Sequence, residues 1–124
     1  MSRRSLERGR EELRAGQALL EAGFPSQAVS RAYLAGFHAA CATLAALGES
    51  PATRTGVLSA FARHVVGEDG IDHETGRILR RLFENRNDVD YALAVAPPGE
   101  ARSALEDAQT LLDASADWIE RRSA

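Results

Sequence analysis

The sequence predicts an all-α protein, its helices separated by short, punctuated loops. Three observations support this. Apolar residues recur at helical spacing through most of the 124 residues. Gly, Pro and Asp stand between the periodic segments, where a chain reverses or a helix is capped. No segment alternates apolar and polar residues as a half-buried strand does, and no internal repeat or low-complexity tail is present.

The first helix is expected from Ser5 to Ala22. Leu6, Leu13 and Leu20 form a narrow stripe repeating every seven residues, with Gly9 and Gly16 beside it. Each glycine costs about 1 kcal/mol relative to alanine in a helix, so close packing against a neighbour is the expected offset. Arg3, Arg4, Arg8, Arg10 and Arg14 interleave with Glu7, Glu11 and Glu12. This pattern reads as a solvated, self-paired face.

The second helix, Phe24 to Gly48, is the stretch around which the chain is organised. At about 100° per residue its side chains fall into three sectors. Val29, Tyr33, Phe37, Ala40, Leu44 and Leu47 are bulky; Ala28, Ala32, Ala35, Ala39, Ala42 and Ala46 offer only methyl groups; Gln27, Arg31 and His38 are polar. Two contact sectors imply a central helix, and the alanine sector permits a neighbouring backbone to approach closely. That neighbour could be the glycine-bearing first helix or a second subunit. Pro25 suits a first turn, Ser26 can cap, and Gly48 suits a left-handed position past the end.

A third helix is expected from about Thr53 to Val66, with Val57, Leu58, Phe61, Ala62 and Val65 buried. Gly67-Glu68-Asp69-Gly70 breaks it. Asp72 is the expected N-cap of a fourth helix, with Glu74 in its first turn. Ala96-Pro97-Pro98-Gly99 ends that segment. The last helix, about Gly99 to Arg121, gathers Ala101, Ala104, Leu105, Ala108, Leu111, Leu112, Ser115, Trp118 and Ile119 on one side.

The length suits one domain, residues 1–124, with a core that needs neither disulfide nor metal. All fifteen basic residues are arginine, and Cys41 is the only cysteine, which excludes an intrachain disulfide. A formal charge of −3 argues against a basic nucleic-acid coat while leaving room for a local basic groove. No apolar run approaches the ~18 residues of a membrane span, and no apolar stretch follows the N-terminal arginines. A cytoplasmic protein is therefore expected.

The fourth helix contains what periodicity leaves unexplained. Ile78, Leu79, Leu82, Phe83, Val89 and Leu93 form its apolar side, and Arg86 and Asp90 project into the same sector at i, i+4. An unpaired buried charge costs several kcal/mol, so each needs a partner. The two can pair with one another, and Arg31 is a second candidate for Asp90. The alternatives are a register-fixing ion pair, a helix broken near Asn87 that leaves both charges wet, or a polar pocket at an interface.

Gln27-Ala28-Val29-Ser30-Arg31-Ala32-Tyr33, Phe37-His38-Ala39-Ala40, Thr53-Arg54-Thr55-Gly56-Val57 and Arg86-Asn87-Asp88-Val89-Asp90-Tyr91 follow one another over some 65 residues. Their order resembles that in HEPN-domain proteins, and the resemblance covers the whole chain. It implies a four- to five-helix up-and-down bundle, usually a homodimer, often encoded beside a minimal nucleotidyltransferase as a toxin and antitoxin pair. Many members are metal-independent ribonucleases that use an arginine, a polar residue directly after it, and a histidine four to six positions on. Here Arg86 and Asn87 match the start, but Tyr91 stands five positions after Arg86 and no histidine follows. Arg54 also departs from the family, in which a histidine is common at that place.

Cleaving RNA without metal needs a base for the 2′-hydroxyl and an acid for the leaving oxygen, and neither arginine nor tyrosine is well poised near neutral pH. The expectation is therefore a non-catalytic binding or partner subunit, dimeric, working with a minimal nucleotidyltransferase. RNA or nucleotide contact would run through Arg31, Tyr33, Arg86, Asp90 and Tyr91. In some family members a tyrosine near the motif is adenylylated by the partner, and Tyr91 is the matching position. The alternatives are an active ribonuclease using Arg86, Asn87 and His38, and a structural dimer without ligand. His64 and His73 read as surface or capping residues. No cofactor is implied, and no Glu-x-x-His pairing, Cys/His cluster or phosphate loop suggests a metal or nucleotide site of known type.

Overall fold

The computed structural model describes residues 2–90 and 95–123. Among these residues are five helices: α1 (Ser2–Glu21), α2 (Pro25–Ala46), α3 (Arg54–His64), α4 (His73–Asp90) and α5 (Pro98–Ser123). Among the described residues the one β-type feature is an isolated bridge between Val66 and Ile71 in the α3–α4 connection. The all-α expectation holds, with helix ends shifted by a few residues. Ser2 extends α1 at its start because its hydroxyl donates to the Ala42 carbonyl at 2.9 Å, tying the first turn to the far end of α2.

Helix α2 touches each of the other four. Its alanine sector lies against α1. A Cβ built on Gly9 would stand 3.1 Å from the Ala35 carbonyl oxygen, and one on Gly16 would stand 3.4 Å from that of Ala28. Residues 2, 9 and 16 thus face 42, 35 and 28, an antiparallel register advancing by seven. Ala28, Ala32, Ala35, Ala39 and Ala42 are wholly buried within the chain. These five are covered within the chain and are not available to a second subunit, whereas Ala46 at the end of the sector is exposed.

The bulky sector of α2 meets α4 and α5, again antiparallel to α4: Ser30 bonds to Asp90, and Gly36 lies against Leu82, Leu79 and Leu111. Gly9 meets Leu112 and Gly16 meets Leu105, so α5 is antiparallel to α1, and helices α1, α2, α4 and α5 run up, down, up, down. Tyr33, Leu44, Leu82, Leu111 and Leu112 are fully buried in a shared hydrophobic cluster.

Caps and buried faces correct the sequence reading in places. Asp72 caps α4 as expected, its Oδ1 accepting from the Thr75 N–H at 2.7 Å. Ser26 does not cap α2; Phe24 holds the cap position with no side-chain bond, and the Ser26 hydroxyl accepts from the Ala96 N–H at 3.1 Å. That bond joins the first turn of α2 to the segment leading into α5. Gly48 has the left-handed φ of 78° that its position demands. Ala62 is exposed and Ala60 takes its place in the core. Prolines 97 and 98 straddle the boundary, with Pro98 as the first residue of α5, where its missing N–H costs nothing.

Candidate functional site

Helix α4 stays regular through Asn87 to Asp90, so Arg86 turns inward and Asp90 lies beside it at the exposed edge of the α2–α4 contact. The Arg86 Nε lies 2.9 Å from the Asp90 Oδ2, with side chains 16% and 32% exposed. The other Asp90 oxygen accepts from the Ser30 hydroxyl at 2.8 Å. Each carboxylate oxygen therefore has a donor, which is what a half-buried carboxylate requires. The predicted partner for Asp90 on the central helix is present, but it is Ser30 rather than Arg31.

Arg31 faces the other way. Its Nη1 donates to both carboxylate oxygens of Glu12, at 3.0 and 3.2 Å. Glu12 is buried, not part of a solvated face, because it lies between Gly9 and Gly16 on the side of α1 that packs against α2. Residues 9, 12 and 16 share one helical face, so the spacing held that signal. The arginines beside it are also not simply self-paired: Arg10 reaches across to Asp113 of α5 at 3.2 Å.

Tyr33 is the centre of the α4 side. Its ring, fully buried, lies 5.9 Å from Phe37 and 5.7 Å from Phe83, both tilted. The Arg86 guanidinium carbon stands 5.6 Å from the ring centroid and that of Arg54 stands 5.9 Å away. Guanidinium groups at such distances are attracted by the ring quadrupole. Tyr33, Arg86 and Asp90 thus come together, joined by Ser30 and Arg54, which the sequence reading did not place there. Asn87 follows Arg86 on the same helix and is half-buried. Tyr91 lies outside the described residues.

His38 belongs to the α1 side of α2. Its Cβ would be 3.4 Å from a Cβ on Gly9, and its charged neighbours are Glu12 and Arg8. Burial pushes its pKa below the ordinary 6.5; Glu12 opposes this and Arg8 adds to it. It is a neutral, helix-packing imidazole on a different face from Arg86. His64 lies 3.8 Å from Glu49 at the end of α3, and His73 is exposed at the start of α4. Since His73 precedes Arg86 by thirteen positions on one helix, the two are about 20 Å apart along its axis. No group of three or more His, Cys, Asp or Glu able to hold a metal occurs among the described residues. None of their helices is long and apolar enough to cross a membrane.

Fold and site together define an α-helical bundle whose fourth helix delivers an arginine onto the aromatic centre of the second. The family model of the HEPN domain matches residues 2–118, and the chain belongs to that family. It is similar to the protein named "Putative toxin MJ0605" of Methanocaldococcus jannaschii, 32% identical over 108 residues, covering 87% of this chain and 81% of that one. It is also similar to a UPF0332 protein of Thermotoga maritima, 35% identical over 114 residues, with 91% and 86% covered. A UPF0332 protein of Gloeobacter violaceus, glr0978, is 27% identical over 117 residues, with 93% and 87% covered.

Proposed function

We propose that the chain is a non-catalytic HEPN subunit, one domain that dimerises and binds a minimal nucleotidyltransferase in a toxin-antitoxin-like pair. Nucleotide or RNA contact falls to the Arg86 side of α2. The observation that carries this reading is the state of Arg86. It is tied to Asp90 and laid against Tyr33, while His38 faces α1. General acid–base cleavage needs two proton-transfer groups within reach of one phosphate. Arg86 has Asp90 beside it, and that carboxylate is already engaged by Ser30. A binding role asks only for the guanidinium.

The second reading, a metal-independent ribonuclease toxin, draws on the name of the Methanocaldococcus relative. RNA incubated with the purified chain and with an Arg86→Ala variant separates the two. The proposal expects no cleavage by either; cleavage by the parent that disappears in the variant overturns it. Co-expression with a nucleotidyltransferase encoded beside it should give a complex that survives gel filtration. Sedimentation of the chain alone should show a concentration-stable dimer, as an interface of ~1,600 Å² would give. A dimer that takes up neither the nucleotidyltransferase nor any nucleotide would leave a purely structural role.

A further inference from the structure

Helices α1 and α3 both rest on α2, and among the described residues they do not touch each other. The space this leaves is a cavity of about 310 Å³ at the end of the bundle where α2 stops. Two contacts frame it. The Ser2 hydroxyl holds the first turn of α1 to the Ala42 carbonyl at 2.9 Å, and Pro51 packs against α3, its Cβ 3.3 Å from a Cβ built on Gly56. Leu44, Pro51 and Val57 give the cavity apolar walls, with Cys41 and Ser5 alongside. Its volume lies at the small end of the range for small-molecule sites.

One residue sets the charge of this cavity. The C-terminus of α2 and the N-terminus of α1 meet there, and their end charges, about half a unit each and of opposite sign, offset one another. The start of α3 is already capped by Thr53. Among the described residues, Glu49 is the only carboxylate that lines the cavity, and no arginine lines it. The His64 Nε2 stands 3.8 Å from the Glu49 Oε1, beyond bonding distance, and no other described residue donates to that carboxylate. A half-buried carboxylate without a donor, set beside apolar walls, is a charge left for a ligand to match.

We propose that this cavity binds a small aliphatic amine, its alkyl chain against Leu44, Pro51 and Val57 and its ammonium group on the Glu49 carboxylate. The chain uses the walls, and the N–H donors of the ammonium supply what the carboxylate lacks. A bare metal ion suits the site poorly, because no cluster of His, Cys, Asp or Glu able to hold one occurs among the described residues. An anion of the same length would meet Glu49 as a like charge. Leu44 lies eleven positions past Tyr33 on α2, about 16 Å along its axis, so the inference stands apart from the reading of Arg86.

Ligand-observed NMR titration of the full chain with hexylamine, hexan-1-ol and hexanoate at pH 7 tests this. In a purely apolar cavity the alcohol binds tightest, because the ammonium gives up more hydration. Here the amine should bind on the order of ten-fold tighter than the alcohol, the scale of one charged hydrogen-bonded contact, and hexanoate should bind weakest. Glu49→Gln should bring the amine down to the alcohol and leave the alcohol unchanged, with circular dichroism checking that this loop variant keeps the fold. Cys41 reports the place: saturating amine should slow its alkylation by N-ethylmaleimide several-fold. Absence of amine binding, an alcohol that binds as tightly, a preference for the amine that survives in Glu49→Gln, or an alkylation rate that the amine leaves unchanged overturns the inference. So does a thiol that reacts only after unfolding, because the cavity is then covered, as by a second copy of the chain.

Discussion

Replacing Gly9 by alanine tests the packing of α1 on α2, because helix propensity and tertiary contact predict opposite signs. Propensity favours alanine by about 1 kcal/mol in a helix interior. The structure sets a larger cost against it. The new methyl would meet the Leu112 Cδ2 at 2.8 Å, the Ala35 carbonyl oxygen at 3.1 Å and the His38 Cβ at 3.4 Å. Leu112 can turn its end away, but the carbonyl of Ala35 belongs to the α2 backbone and yields only if the two helices part. Overpacking of this kind costs about 1 to 3 kcal/mol. The net expectation is a loss of about 1 kcal/mol, or roughly 4 °C in Tm for a chain of this size. Gly99 supplies the control. It lies in the first turn of α5 with nothing within 4 Å of a built Cβ, so Gly99→Ala should be neutral or stabilising by a few tenths of a kcal/mol. Thermal and urea unfolding of both variants read the difference. If Gly9→Ala raises Tm as Gly99→Ala does, the close approach of α1 to α2 is wrong.

Three further outcomes follow from the charged and capping groups. Asp90→Ala removes one partner of a half-buried arginine and the acceptor of Ser30, and should cost about 1 kcal/mol in urea unfolding; a loss below the error of the fit would mean the pair is solvated. Burial lowers the pKa of His38 from 6.5, so the unfolded chain takes the proton first. Its contribution is therefore intact above about 6.5 and declines as the pH falls toward the folded value; His38→Gln should flatten the stability curve in that window, and an unchanged slope would count against burial as the cause. For Asp72 the sign is the same, but the cause is a hydrogen bond rather than burial and the window lies in acid. Its bond to Thr75 holds the carboxyl below 3.8, so the cap stabilises above that value and is lost as pH falls through the folded pKa. Asp72→Ala should melt earlier than the parent at pH 7 and converge with it in strong acid.

What the sequence made legible was periodicity, and what it hid was direction. Glycine at 9 and 16 and alanine every three or four positions along α2 announce two helices in close contact, since each pattern alone is poor in packing atoms; the antiparallel register of 9 with 35 and 16 with 28 is that complementarity realised. The inward turn of Arg86 and its pairing with Asp90 were equally readable, because a regular helix puts the two on one side. The partner of Asp90 was not. Arg31 and Ser30 are adjacent on α2, so they point about 100° apart, and one residue of rotation decides which meets α4 and which meets α1. Glu12 was hidden for a related reason: among alternating arginines and glutamates, only its alignment with the two glycines distinguishes a buried acid from a wet one. Once Glu12 is inside, Arg31 must follow it, since a buried carboxylate without a cation costs more than the ordering of one long side chain. That assignment sends the polar sector of α2, including His38, toward α1, and leaves Ser30 with Tyr33 on the side of α4. The separation of the histidine from Arg86, on which the binding reading rests, is therefore a consequence of how α1 packs. A Glu12→Leu, Arg31→Leu double variant that folds and still leaves His38 facing α1 would show instead that the glycine–alanine contact fixes the rotation of α2 without the ion pair.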